Sequence, residues 1–265
     1  MIEAFSRLDH VTQALLATLF TWSITALGAA LVFFFRQVNK NVMDAMLGFA
    51  AGVMIAASFW SLLAPAIDLA AEIGLCSWMV VLCGFFGGGL LLFIGDRLSE
   101  RLDCRSTADQ SARKRCRMLV FAITLHNIPE GLAVGVSFGA LAYGLPGATL
   151  TASCMLALGI GLQNFPEGTA VSMPLRREGL SRGRAFMFGQ LSGIVEPIAG
   201  VIGATIALTA RHILPFLLAF AAGAMIYVVV EELIPESQTN AKKDFMALFT
   251  LVGFSVMMVL DVALG

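Results

Sequence analysis

Eight stretches of this chain run apolar for roughly the 20 residues that a helix needs to cross a bilayer's hydrocarbon core. They cover about residues 11–35, 42–65, 75–95, 118–142, 148–175, 185–210, 213–234 and 245–265. With no water to satisfy exposed backbone groups, runs of this length fold as helices. The expectation is an all-α polytopic membrane protein with eight transmembrane helices, a single domain over residues 1–265, and both termini outside. Composition agrees, because only 13% of the residues are charged and 58% are apolar, whereas about a quarter of an average soluble domain is charged. A disordered chain, a nucleic-acid binder and a water-soluble enzyme are excluded on that ground. The first run is read as a span and not a cleaved leader, since Glu3, Arg7 and Asp9 precede it in place of a basic segment.

The basic residues divide by side. Loops after the odd-numbered runs hold Arg36 and Lys40, then Arg97, Arg101, Arg105, Arg113, Lys114, Arg115 and Arg117. Further along come Arg176, Arg177, Arg182 and Arg184, then Lys242 and Lys243. Of the 17 Lys and Arg, only Arg7 and Arg211 fall on the other side. The positive-inside rule makes the odd loops cytoplasmic, including the long loop 97–117, in an inner cell membrane. The five cysteines form no CxxC pair and read as small buried residues. Glycines at Gly48/Gly52, Gly84/Gly88, Gly131/Gly135/Gly139 and Gly189/Gly193 have the spacing that lets helix backbones approach closely, for static packing or for sliding.

Carboxylates inside a bilayer cost about 2.5–3.5 kcal/mol each on insertion scales, so they mark function by default. Glu130, Glu167 and Glu196 lie well inside runs four, five and six, each beside a proline. The pattern His126-Asn127-Ile128-Pro129-Glu130-Gly131 is answered by Gln163-Asn164-Phe165-Pro166-Glu167-Gly168 in the next, oppositely directed run. An inverted repeat with its polar site at the midplane is how many secondary transporters are built. At about 100° per residue, Glu130 points between His126 and Asn127, and Glu167 between Gln163 and Asn164. Two such glutamates facing each other can bridge two cations, one on the His126/Gln163 side and one on the Asn127/Asn164 side. Pro129 and Pro166 cannot donate to the carbonyls of Leu125 and Leu162, which frees further oxygens. Imidazole, carboxylate and amide oxygen together suit Zn²⁺ and its first-row neighbours.

The segments HNIPEGLAVG, QNFPEG and LSGIVEPIAG resemble the ZIP (Zrt/Irt-like) family of divalent-metal transporters, and its GufA-like branch in particular. The resemblance extends over the whole chain. It implies a first metal site at His126, Glu130, Gln163 and Glu167, joined in some relatives by a methionine that Met54 matches. It implies a second site at Asn127, Glu130, Asn164, Glu167 and Glu196, with both glutamates bridging. The chain departs from the pattern at Gln163, where many relatives have His, and at Asn164, where some have Asp. Asp96, Glu231 and Glu232 at cytoplasmic helix ends read either as a relay of metal to the cytosol, which acidic residues there form in relatives, or as solvated helix-end acids, and Asp68 and Glu72 read as an acidic outer loop.

The function expected is transport of zinc first, with cadmium, iron or manganese as further cargo, from outside to cytoplasm by alternating access. The ion is the substrate, and no catalytic cofactor is expected. The partners are divalent ions and the lipid bilayer, with room for a homodimer and none for nucleic acid. A passive metal-conducting channel shares every site residue. An intramembrane zinc hydrolase is disfavoured by the absence of HExxH and by the symmetric placement of the glutamates.

Overall fold

A computed structural model describes residues 5–35, 39–103, 111–144, 148–177, 179–239 and 242–264. Among the described residues every regular element is helical, in eight rods. These are α1 (His10–Phe34), α2 (Lys40–Glu72), α3 (Ser77–Asp103), α4 (Ser111–Ala140) and α5 (Leu150–Arg177). They continue as α6 (Arg182–Thr209), α7 (Leu214–Ser237) and α8 (Lys243–Val259). Six of them, α1, α2, α3, α6, α7 and α8, are long and apolar enough to cross a membrane. The other two, α4 and α5, carry the polar motifs.

Local chemistry sets the ends. Asp9 caps α1, accepting from the Thr12 amide at 3.0 Å and the Thr12 hydroxyl at 2.6 Å. Those bonds favour the ionised form and hold the Asp9 carboxyl below its usual range. The expected long loop 97–117 is mostly drawn into helix, because α3 runs to Asp103 and α4 begins at Ser111. Residues 104–110 lie outside the described residues. Asp68 and Glu72 are not in a loop but on the last turns of α2. Cys76 and Cys83 are exposed on the bundle surface and not buried. The reason for Cys83 is that α3 is a peripheral rod, on which Trp78 and Phe86 are 70% and 67% exposed. Side chains of this kind are at home against lipid.

The rods pack most extensively as α4 on α6, α1 on α5, α3 on α7, and α2 on α8. Exchanging α1 with α6, α2 with α7, α3 with α8 and α4 with α5 turns this set of pairs into itself. The sequence carries the same symmetry, since Phe49–Ile55 reads FAAGVMI in α2 and Phe220–Ile226 reads FAAGAMI in α7. Each is followed by a π-helical turn, Ser58–Leu63 or Val229–Leu233, and then by Pro65 or Pro235. Proline has no N–H and crowds the carbonyl four residues back, and the widened turn accommodates both. A Cβ on Gly253 would lie 2.0 Å from the Phe49 carbonyl oxygen, and one on Gly88 would lie 1.9 Å from that of Phe220. The equivalent contact is made twice, once in each half.

Phe5, ahead of α1, and Asp261, past α8, lie at one end of the bundle. The Phe5 ring meets Phe138, near the C-terminus of α4, edge-on at 6.0 Å. Asp261, after α8, lines a cavity together with Ser137 of α4.

Candidate metal centre

The glycine after each motif glutamate is what brings the polar residues together. A Cβ on Gly131 would sit 2.4 Å from the Glu196 carbonyl oxygen, and one on Gly168 would sit 2.0 Å from that of Thr25. Any side chain there would push α6 from α4, or α1 from α5. Pro129 and Pro166 lie inside continuous helices. On α6 the helix is interrupted, because Pro197 cannot donate to Gly193, whose carbonyl instead takes the Glu196 amide at 3.0 Å. The break leaves the Ser192 carbonyl for a side chain, and the Asn127 amide nitrogen donates to it at 2.9 Å.

Asn127, Glu130, Gln163, Asn164 and Glu196 are fully buried, and Glu167 is 5% exposed. The Gln163 amide nitrogen donates to Glu130 Oε1 across the α4–α5 contact. The Asn164 amide nitrogen donates to both oxygens of Glu196, each at 2.9 Å. Thr21 and Thr25 of α1 donate their hydroxyls to Glu196 as well, to Oε2 and Oε1 respectively. With the amide nitrogens so engaged, a set of oxygens is left over. Asn127 Oδ1, Glu130 Oε2, Gln163 Oε1, Asn164 Oδ1 and Glu167 Oε2 are all buried and have no hydrogen-bond partner. Buried polar atoms are rarely left unpartnered, and five on the adjoining helices α4 and α5 make a set of acceptors suited to a cation.

Electrostatics point the same way. Glu130 feels the charge of Glu167 and Glu196, and Glu167 feels that of Glu196 and Glu232. Among the described residues no lysine or arginine pairs with the three; the recorded ion pair is Lys40–Asp44, at 3.0 Å. Nor does any trio of His, Cys, Asp or Glu among the described residues close on one metal-sized point. The His126 side chain lies outside the described residues, although its backbone belongs to α4. Met54 is fully buried in the apolar core. One turn further along α2, the Ser58 hydroxyl is also buried without a partner. Glu231 and Glu232 occupy the π turn of α7, and the Asp96 side chain lies outside the described residues.

A cavity of about 270 Å³ opens at the bundle end that holds Asp261, lined by Trp60, Ser61, Asp68, Ser137 and Asp261 among others. Ser61 donates to Asp261 Oδ1 at 2.6 Å, while Oδ2 is buried and unpartnered. Sequence reasoning missed Thr21, Thr25, Ser61 and Asp261. Threonine and serine in membrane helices mostly bond their own backbone, as Thr18 does to Ala14 at 2.7 Å, so their presence alone signals nothing.

Comparison with known proteins shows the family. The family model described as ZIP Zinc transporter matches residues 99–261. The human protein named Zinc transporter ZIP11 is 40% identical, over 97% of this chain and 98% of its own length. Zinc transporter ZIPB of Bordetella bronchiseptica is 40% identical, over 97% of this chain and 82% of its own. Zinc transporter GufA of Myxococcus xanthus is 35% identical, over 95% and 98%. The chain is a multi-pass, all-helical membrane protein that belongs to the ZIP family.

Proposed function

We propose that this protein carries divalent metal ions, zinc first, from the outside into the cytoplasm, with both termini outside and the motif residues at the crossing of α4, α5 and α6 as the binding centre. Cadmium, iron and manganese are further cargo with compatible ligand chemistry. His126, Glu130, Gln163, Glu167 and Met54 form one face of the centre. Asn127, Asn164 and Glu196 form the other. The observation that carries the reading is the group of buried, unpartnered oxygens on α4 and α5, with no lysine or arginine among the described residues paired to their carboxylates. Cations at such a site bind deprotonated ligands, so loading releases protons into the aqueous phase.

Alternating access is the mode of transport we favour. Its support is the near-complete burial of the centre, since an always-open channel needs its ligands wetted from both sides. The helix pairing supports it too, with α1, α4, α5 and α6 as one packed unit and α2, α3, α7 and α8 as the other. The acidic cavity at Ser61, Asp68 and Asp261 is the outer mouth in this scheme, and Glu231 and Glu232 stand on the way to the cytoplasm.

The test is zinc uptake into proteoliposomes. Saturable uptake by the parent, and uptake at the protein-free background for Glu130→Ala and for Glu167→Ala, are expected. Parent-like flux in both variants overturns the assignment of the centre. Flux that rises linearly with zinc well past millimolar overturns alternating access in favour of a channel.

A further inference from the structure

We infer that the Asn127/Asn164/Glu196 face of the centre holds no second ion: the amide nitrogen of Asn164 and the hydroxyls of Thr21 and Thr25 occupy Glu196, so the centre takes one dication and Glu196 is a positioning residue for it. The inference rests on reading the centre as a metal site and specifies how many ions it holds.

Glu196 is fully buried and both of its oxygens are taken. Oε1 accepts from Asn164 and Thr25, and Oε2 accepts from Asn164 and Thr21. A cation at that carboxylate would have to displace three donors whose remaining acceptors are backbone carbonyls: that of Thr18 for Thr21 at 3.0 Å, and that of Thr21 for both Thr25 and Asn164 at 3.3 Å. The orientation of Asn164 follows from the same contact. Its NH₂ faces two carboxylate oxygens, and turning the amide over would set oxygen against oxygen. With its nitrogen held by Glu196, Asn164 keeps Oδ1 buried and unpartnered, the orientation a carboxylate behind a metal ligand imposes. Charge agrees. The carboxylates with free oxygens are Glu130 and Glu167, whose two negative charges match one dication. A second dication in the same dry volume would find only the occupied Glu196 to offset it. Aspartate at position 164 would reverse this, because it has no hydrogen to donate to Glu196 and adds a negative charge beside it.

Counting ions decides the matter. The full chain in lipid nanodiscs is equilibrated with Cd²⁺ near neutral pH, and bound metal is measured by elemental analysis. The amount retained by the Glu130→Ala/Glu167→Ala double variant is subtracted, which removes ions held elsewhere. A difference of one ion per chain is expected, and two overturns the inference. A difference of zero overturns the metal-site reading itself, a separate outcome. Asn164→Asp should raise the difference to two, and a value that stays at one overturns the role given to the amide. Glu196→Ala should keep one ion with its affinity weakened about 10–100-fold, and Glu196→Gln, which retains one acceptor oxygen, should recover part of that loss. Unchanged affinity in Glu196→Ala overturns the positioning role without requiring that Asn164→Asp fold.

Discussion

The two four-helix units of this protein are assembled by the same device and filled with opposite chemistry. In the α2/α3/α7/α8 unit, backbones meet at glycines: a Cβ on Gly52 would lie 1.9 Å from the Thr250 carbonyl oxygen, and one on Gly223 would lie 1.9 Å from that of Phe85. In the α1/α4/α5/α6 unit, the corresponding distances are 2.0 Å from Gly28 to Phe165 and 2.1 Å from Gly135 to Gly200. The first unit surrounds those contacts with Ala50, Ala51, Ala221, Ala222 and Met225, all essentially inaccessible. The second surrounds them with Asn127, Glu130, Gln163, Asn164 and Glu196, equally inaccessible. Those contacts are made with no carboxylate among the residues around them, the buried Asp44 lying in the first turns of α2 and paired with Lys40 at 3.0 Å. The polar groups of the second unit are therefore not what holds it together, and their presence needs a reason outside packing.

That comparison fails outright if the carboxylates are structural, so the sharpest challenge is to remove them. Glu130→Leu/Glu167→Leu is expected to abolish zinc uptake while remaining folded and at least as heat-stable as the parent in chelator-treated buffer. Replacing buried charge with apolar volume is often neutral or stabilising. Loss of the monodisperse species on gel filtration would show that the glutamates hold the fold. Next in size is the response to the cargo. Zinc at 100 times its dissociation constant should stabilise the parent by about 2.7 kcal/mol, read as a rise in the thermal unfolding midpoint, and should leave the double variant unmoved.

Glycine variants test the shared half of the comparison. Gly52→Val in one unit and Gly135→Val in the other should each cost about 1–3 kcal/mol or more, since the added carbon meets a backbone carbonyl that cannot step aside. A large loss in one unit and none in the other would mean that the two are held differently. The smallest effect is expected between the units. A Cβ on Gly159 of α5 would meet the Met257 sulfur at 2.3 Å, the far end of a flexible side chain that can swing away. Gly159→Ala should therefore change stability by less than about 1 kcal/mol.

The all-helical membrane class and the polar motif residues were legible because each depends on local order: apolar length for the helices, one helical turn for Glu130 and its neighbours. What depended on partners across the bundle was not. Which glycines meet which carbonyls cannot be read from spacing, so sliding stayed open beside static packing at Gly84/Gly88, and the structure shows that pair pressed against Phe216 and Phe220. Thr21 and Thr25 gained their role only when α6 brought Glu196 beside α1. Asp261 carried no local signal, because its partner Ser61 lies far away in sequence. The acidic loop expected at Asp68 and Glu72 became helix because the π turn at Ser58–Leu63 lets α2 continue past Pro65.

Those π turns also set the rotational phase of two helices. One additional residue in a turn rotates everything beyond it by about 100° relative to an uninterrupted helix. In α2 the segment past the turn carries Asp68, and in α7 the turn itself carries Glu231 and Glu232. Each rod can thus lay one stripe of small residues against its partner along most of its length and still aim acidic side chains elsewhere near its C-terminal end. A single deletion inside either turn would leave the stripe in register and send the acids to the wrong azimuth.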